Sequence, residues 1–433
     1  MMFTIYARLL DFQRAPMAAD DLSSLRYFED GAMVVDGGKI IAIGDRSEII
    51  AKGEVIDHRP HLVMAGFIDL HLHMPQMQVM GSYAAQLLDW LNDHTFPVES
   101  AFGDKIHAKR IANALMDTLL RHGTTTSVAY CTSHPQSVDA YFEAALARGM
   151  CAIGGKVMMD RGAPEALLDT PERGYDESKA LIAKWHGVDR LHYAITPRFA
   201  ITSTPAQMTA AQALVCEHPE CYVQTHIDEN RAEIDYTMEL YPSHADYMGV
   251  YEDYDLLGAK TLLGHCIHMN DREIAAMIES RSVAVHCPTS NLFLGSGLFD
   301  WFGLRNKGAR VGLATDIGGG TSYSMLRTMD EAYKIQQLRG ERLNPIMSYY
   351  TSTRGNAEAL GLEAEIGDLS VGSSADFIVL NMSATPEMAL RAERIESLQD
   401  ELFLLQTMGD DRAVRATYVA GLERKSQSSA MKV

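Results

Sequence analysis

The stretch Met64-Ala65-Gly66-Phe67-Ile68-Asp69-Leu70-His71-Leu72-His73 decides how the rest of the chain is read. It reads as a short buried strand closed by a His-x-His pair. Alternate side chains of a strand share a face, so His71 and His73 point the same way, with Asp69 one step behind. Two imidazoles one strand repeat apart can grip one metal ion. Neutral imidazole suits zinc and iron, and a catalytic zinc also needs further protein ligands and an open position. A His-x-His pair alone is equally consistent with two histidines satisfied by backbone groups. The reading turns on what stands at the ends of other strands.

Outward from this stretch, apolar strand-like runs alternate with amphipathic segments. The runs are Gly66–His73, Thr124–Tyr130, Ala152–Met158, Leu191–Thr196, Tyr222–His226, Thr261–His265, Ser282–His286 and Val311–Asp316. Helix-like stretches fall between them, among them Lys105 to His122, Ser137 to Arg148, Thr204 to Glu217 and Asp271 to Ser280. Strands alternating with helices predict a parallel sheet, and such units over roughly 250 residues predict a (β/α)8 TIM barrel. A doubly wound sheet would want a Gly-rich phosphate turn after its first strand, and none is there. Ahead of the barrel, Ala32–Val35 and Lys39–Ile43 flank Asp36-Gly37-Gly38, a hairpin signal. Strand signals return at 367–380 and 416–421. Both chain termini are therefore expected to build a small β-sandwich domain, from residues 1–62 and 366–433, around a barrel at 63–365. His58 and His61 are expected in an exposed connection before the first barrel strand, and the polar tail from Glu423 is expected to fray.

The 433 residues carry 57 acidic and 38 basic side chains, a formal net charge of −19. That excludes nucleic acid or an anionic membrane surface as main partner, since both need a basic footprint. No apolar run reaches the ~18 residues of a membrane span. The six cysteines include no Cys-x-x-Cys pair and read as buried small hydrophobes. A reduced, cytoplasmic protein is expected.

In a TIM barrel the C-terminal strand ends carry the site. The first run ends in His71 and His73, the fifth in Gln224-Thr225-His226-Ile227-Asp228-Glu229, the sixth in Gly264-His265, the seventh in His286-Cys287-Pro288 and the eighth in Thr315-Asp316. Ligand-type residues at several independent strand ends point to a mononuclear metal centre held by His71, His73, His226 and Asp316. The metal would bring a bound water to a pKa near ~7, with Asp316 able to accept its proton. His265 is placed just outside the ligand set, orienting that water; its replacing Asp316 as a ligand stays open. Glu229 is the candidate proton shuttle. His286 reads as a structural corner. Lys156 lies in the third run, and the fourth run ends without a lysine to bridge two metals, which favours one ion.

These strand-end motifs resemble the amidohydrolase superfamily. More narrowly, Pro75-Gln76, Leu88-Asp89-Trp90-Leu91, Thr95-Phe96-Pro97, Thr196-Pro197-Arg198-Phe199, His286-Cys287-Pro288-Thr289-Ser290-Asn291 and Asp316-Ile317-Gly318-Gly319-Gly320 resemble those members that deaminate guanine hydrolytically. The resemblance implies one Zn2+ per subunit, with Fe2+ as the other ion, and Glu229 and Asp316 as proton carriers. It implies Gln76, Arg198 and Phe199 at a purine, and a homodimer. Arg198 suits the O6 acceptor of guanine, Gln76 can donate and accept along the ring edge, and Phe199 offers an apolar wall. Asp228 departs from the small residue expected there; it is expected to flank the pocket and bear on substrate breadth. Competing readings are deamination or dechlorination of another flat N-heterocycle, a pterin or triazine, and a non-catalytic scaffold on the same fold. The intact set of candidate residues argues against the scaffold.

Overall fold

A computed structural model describes residues 2–18, 21–83 and 87–425. Eight parallel strands run in sequence order, β1 (Phe67–His73), β2 (Thr124–Tyr130), β3 (Cys151–Gly155), β4 (Leu191–Pro197), β5 (Tyr222–Ile227), β6 (Thr261–His265), β7 (Val283–His286) and β8 (Arg310–Leu313). Each pairs with the next. Nearly every residue in them is buried, as expected of a parallel sheet covered on both faces, and this is why they read as apolar runs. The third run breaks at Lys156, with Val157–Met158 pairing separately with β4.

The ring closes between β8 and β1 through specific polar contacts. Asp316 N donates to His71 O at 2.8 Å. The Asp69 carboxylate accepts from Thr315 N at 3.0 Å and Thr315 Oγ1 at 2.5 Å. Asn356 Nδ2 donates to Ile68 O at 2.7 Å and Leu313 O at 2.8 Å, while its Oδ1 accepts from Leu313 N at 3.1 Å. The last β-strand is thereby tied to the first without a long ladder.

Helices cover the ring. Lys105–Arg121 starts at Asp104, whose side chain accepts from Ile106 N, and buries Ile111, Leu115, Met116 and Leu119. Asn230 and Asn270 begin their helices with capping boxes closed by Glu233 and Glu273. Among the described residues no helix is long and apolar enough to cross a membrane.

Both chain termini meet in one seven-stranded sheet, in the order Leu422–Lys425, Val414–Val419, Phe377–Leu380, Glu54–Ala65, Phe3–Phe12, Leu25–Asp36, Lys39–Asp45. The expected hairpin forms there, with Gly37 and Gly38 at φ 55° and 81°, the left-handed pair a tight primed turn requires. Two expectations change. His58 and His61 lie in the 12-residue strand Glu54–Ala65, not in an exposed connection, and both are half-buried. The tail expected to fray from Glu423 instead begins with the strand Leu422–Lys425; its positions 426–433 lie outside the described residues.

Candidate active site

At the C-terminal mouth of the barrel, β1 delivers His71 and His73, β5 delivers His226, and the segment after β8 delivers Asp316. One ring nitrogen from each of the three histidines lies within 4.8 Å of the others. His73 Nε2 and His226 Nε2 face each other at 3.1 Å. Asp316 Oδ1 stands 3.3 Å from His71 Nε2 and 3.4 Å from His73 Nε2. His226 Nδ1 donates to Arg198 O at 2.7 Å, which leaves the Nε2 lone pair free for a metal. The His71, His73 and His226 ring nitrogens and the Asp316 carboxylate thus converge on one spot. The donor set therefore fits a divalent metal of the kind imidazole and carboxylate hold.

Several local features aim these groups. Asp228, His265 and Asp316 adopt φ of 52°, 74° and 52°, a strained region for non-glycine residues that recurs at functional sites. Gly264 is required by packing, because a Cβ there would stand 2.7 Å from His71 Cε1. Tyr251 Oη donates to His226 O at 2.7 Å. The capping glutamate Glu233 accepts from Glu229 N at 2.9 Å and Asn230 N at 3.1 Å, fixing the backbone that carries Glu229.

Glu229 is buried, and its Oε1 accepts from Ser296 Oγ at 3.1 Å. Its Oε2 stands 3.4 Å from His265 Nε2, which is 3.7 Å from Asp316 Oδ2. His265 Nδ1 meets Asn291 Oδ1 at 2.9 Å. Burial lifts the Glu229 carboxyl to about 7. Burial works to lower the His265 imidazole, but the carboxylates of Glu229 and Asp316 outweigh it and raise its affinity for a proton. Burial pushes Asp316 up, yet its contact with His71 and the neighbouring imidazoles hold it at about 2. Burial keeps His73 and His226 well below the usual imidazole range, so both are neutral donors. The mouth thus pairs one carboxyl poised near neutrality with one firmly ionised, an arrangement suited to proton transfer.

A cavity opens over this cluster. His73, His226, Glu229, His265 and Asp316 line it. Gln76, Arg198 and Phe199 line the same cavity, with Trp90 and Leu91 adding apolar wall. All three residues expected at a purine therefore line the same cavity as the metal-type cluster. Gln76 Nε2 donates to Glu99 Oε1 at 2.9 Å and Arg198 donates to Glu99 Oε2 at 2.7 Å. Glu99 is completely buried.

Other residues singled out in the sequence fall outside the cavity lining. Asp228 does not line the cavity. Its backbone oxygen accepts from Ile267 N and His268 N, and its carboxyl is pushed well up, first by burial and then by Glu273 and Glu233. Lys156 is buried in an ion pair with Asp169, and Glu177 lies at 3.3 Å, away from the cluster. His286 packs as a corner, stacked on Phe299 with centroids 4.3 Å apart. Cys287 falls within ligand distance of His71, His265 and Asp316, but burial and the Asp316 and Asp69 carboxylates keep its thiol protonated. The sequence reading gives no role to Glu99 or Ser296, nor to Asn291, which it quotes only within a motif. Glu99 stands two residues beyond the Thr95-Phe96-Pro97 piece, and nothing in its own neighbourhood marks it.

Residues 62–423 match the sequence model of the "Amidohydrolase family". The chain is 46% identical over 403 residues to guanine deaminase of Escherichia coli strain K12, covering 92% of each chain. The solved structure titled E. coli guanine deaminase superposes with a TM-score of 0.94, at 43% identity over 99% of this chain and 100% of that one. A guanine deaminase from C. acetobutylicum, solved with guanine bound in its active site, gives a TM-score of 0.88, at 28% identity over 98% of this chain and 100% of that one. With the parallel barrel, the His and Asp strand ends and these matches over most of its length, the chain belongs to the amidohydrolase family.

Proposed function

We infer that the protein is a guanine deaminase, which hydrolyses the exocyclic C2–N bond of guanine to give xanthine and ammonia. One observation carries the reading: a single cavity is lined both by the metal-type cluster with two proton-handling carboxyls and by donors suited to an oxopurine. The 46% identity to a guanine deaminase over most of both chains supports it.

His71, His73, His226 and Asp316 would hold the ion. When bound, the metal supplies a water acidic enough to be deprotonated at neutral pH. Glu229, poised near 7, takes a proton from the attacking water and delivers it to N3 as oxygen adds to C2. Asp316 or Glu229 then carries the proton of the new C2 hydroxyl to the departing amino group, and the C2–N bond breaks with release of ammonia as the C2 carbonyl forms. One water is consumed and the proton carriers return to their starting state. His265, held by Asn291, orients the water between Glu229 and Asp316. Arg198 offers N–H groups to O6, Gln76 reads the adjoining edge, and Phe199 packs on the base.

The ion in this reading is one Zn2+ per subunit, because imidazoles with a carboxylate are a donor set zinc takes in catalytic sites. Fe2+ accepts the same donors, and elemental analysis of the purified protein separates the two. A cytoplasmic homodimer completes the proposal; the unpaired state of all six cysteines supports a reducing compartment, and sedimentation tests the dimer. The function is tested by ammonia release from a panel of guanine, a pterin and an aminotriazine. Turnover of guanine well above the others is expected. Turnover of another ring with none of guanine overturns the assignment.

A further inference from the structure

Gln76 and Arg198 both face the cavity, and both are held from behind by Glu99, which does not line it. The Gln76 amide is fixed at each end. Its Nε2 donates to Glu99 Oε1 at 2.9 Å, and its Oε1 accepts from Gly318 N at 3.3 Å. Rotating the amide by half a turn would set its oxygen against the carboxylate and its NH2 against an N–H donor. Both contacts would become repulsive, so the amide has one polarity. Arg198 spends one N–H on Glu99 at 2.7 Å and stacks over the Phe96 ring at 5.5 Å, which points the rest of its planar fork in a fixed direction. Glu99 is carried by the short helix Phe96–Glu99, at 0% exposure, with one oxygen for each partner.

We propose that Glu99 is a positioning residue that sets the donor and acceptor polarity of the purine-reading edge, and so selects a 6-oxopurine over a 6-aminopurine. This rests on the guanine deaminase reading above. In a 6-oxopurine, O6 accepts and N1–H donates, which matches Arg198 donors and a Gln76 oxygen with a lone pair to spare. In 2,6-diaminopurine the 6-amino group donates and N1 accepts. It meets donor against donor and acceptor against acceptor, although its reacting C2 amino group is the same. Buried mismatches of this kind discriminate strongly.

The test is Glu99→Gln in the metal-loaded protein, assayed with guanine and 2,6-diaminopurine, with kcat and KM separated. A glutamine at 99 that keeps its oxygen for Arg198 turns its NH2 toward Gln76, so residue 99 then favours the flipped amide and only the 3.3 Å contact with Gly318 N still opposes it. The expected result is a fall in kcat/KM for guanine of about thirtyfold, carried mainly by KM. 2,6-Diaminopurine should change by less than about threefold, so the preference narrows at least about tenfold. Glu99→Asp, which keeps the carboxylate, should retain the preference at reduced overall rate. Equal losses on both substrates in the Gln variant, or an unchanged ratio, overturn the proposal, because a structural role lowers both alike. If Glu99→Gln does not fold, a narrowed preference in Glu99→Asp equal to its rate loss on guanine overturns it as well. Wild-type protein that releases no ammonia from guanine removes the guanine reading itself, an outcome visible before any variant is compared.

Discussion

Replacing Glu229 with glutamine separates chemistry from architecture. The side chains are nearly isosteric, and the amide oxygen can keep the 3.1 Å hydrogen bond from Ser296 Oγ. An amide N–H can face His265 Nε2, 3.4 Å from the present carboxylate. What disappears is the ability to take and return a proton. A positioned general acid–base contributes typically 10²–10⁴ in rate, about 3–5 kcal/mol of transition-state stabilisation. We expect kcat on guanine to fall by about 10³, with KM within about threefold and full metal content. Stability should move the other way. The folded carboxyl titrates at about 7 against an ordinary 4.5, so its ionisation, complete in the unfolded chain above 4.5, is resisted in the fold. The contribution present below 4.5 is lost as pH rises through 7. Removing the group should leave the metal-free variant as stable as wild type at pH 8, or more stable by up to about 3 kcal/mol. Steady-state ammonia release, elemental analysis and urea unfolding read the three quantities. A kcat within about threefold of wild type refutes Glu229 as proton carrier. A lost kcat accompanied by lost metal or lower stability refutes the separation of its chemistry from the architecture.

Three further outcomes follow from other parts of the molecule. His73→Ala removes the ring whose Nε2 faces that of His226 at 3.1 Å; metal content should drop well below one per chain and turnover with it, whereas a retained ion would take His73 out of the ligand set. Asn356→Ala strands the Leu313 N–H and two carbonyls at the β8–β1 closure, which should cost about 2–4 kcal/mol in denaturant unfolding; a cost under about 1 kcal/mol would show that the closure does not depend on it. Burial holds His286 at about 3, against 6.5 for a free imidazole, so below pH 6.5 the unfolded chain binds a proton that the fold refuses. Stability should therefore fall as pH drops from 6.5 towards 3, and His286→Phe, which keeps the stack on Phe299, should flatten that slope; an unchanged slope would assign the acid loss elsewhere.

The barrel was legible because its strands are buried on both faces and therefore appear as apolar runs ending in ligand-type residues. That His71, His73, His226 and Asp316 stand together follows from the period of a strand and the rule that strand C-termini share one face of the barrel. The strand Glu54–Ala65 was harder, because Pro60 and alternating polar residues break its pattern. Its ladder with Phe3–Phe12 steps from Tyr6↔Asp57 to Arg8↔Leu62, so the proline sits where pairing is interrupted. Glu99 could not be found at all. Its partners are 23 and 99 positions away in sequence, and only the folded barrel brings the three together. Asp228 was misplaced for a similar reason: its left-handed φ of 52° turns the side chain from the cavity toward Glu233 and Glu273, a change of direction that residue identity does not encode.

The central claim is that this barrel mouth, loaded with one metal, converts guanine to xanthine. The direct measurement is product analysis after metal-free protein is titrated with Zn2+ in the presence of guanine. Xanthine and ammonia should appear in equal amounts, at a rate that rises with added metal and levels off at one equivalent per chain. Guanine recovered unchanged at one equivalent, from protein that has bound the ion and remains folded, would contradict the account.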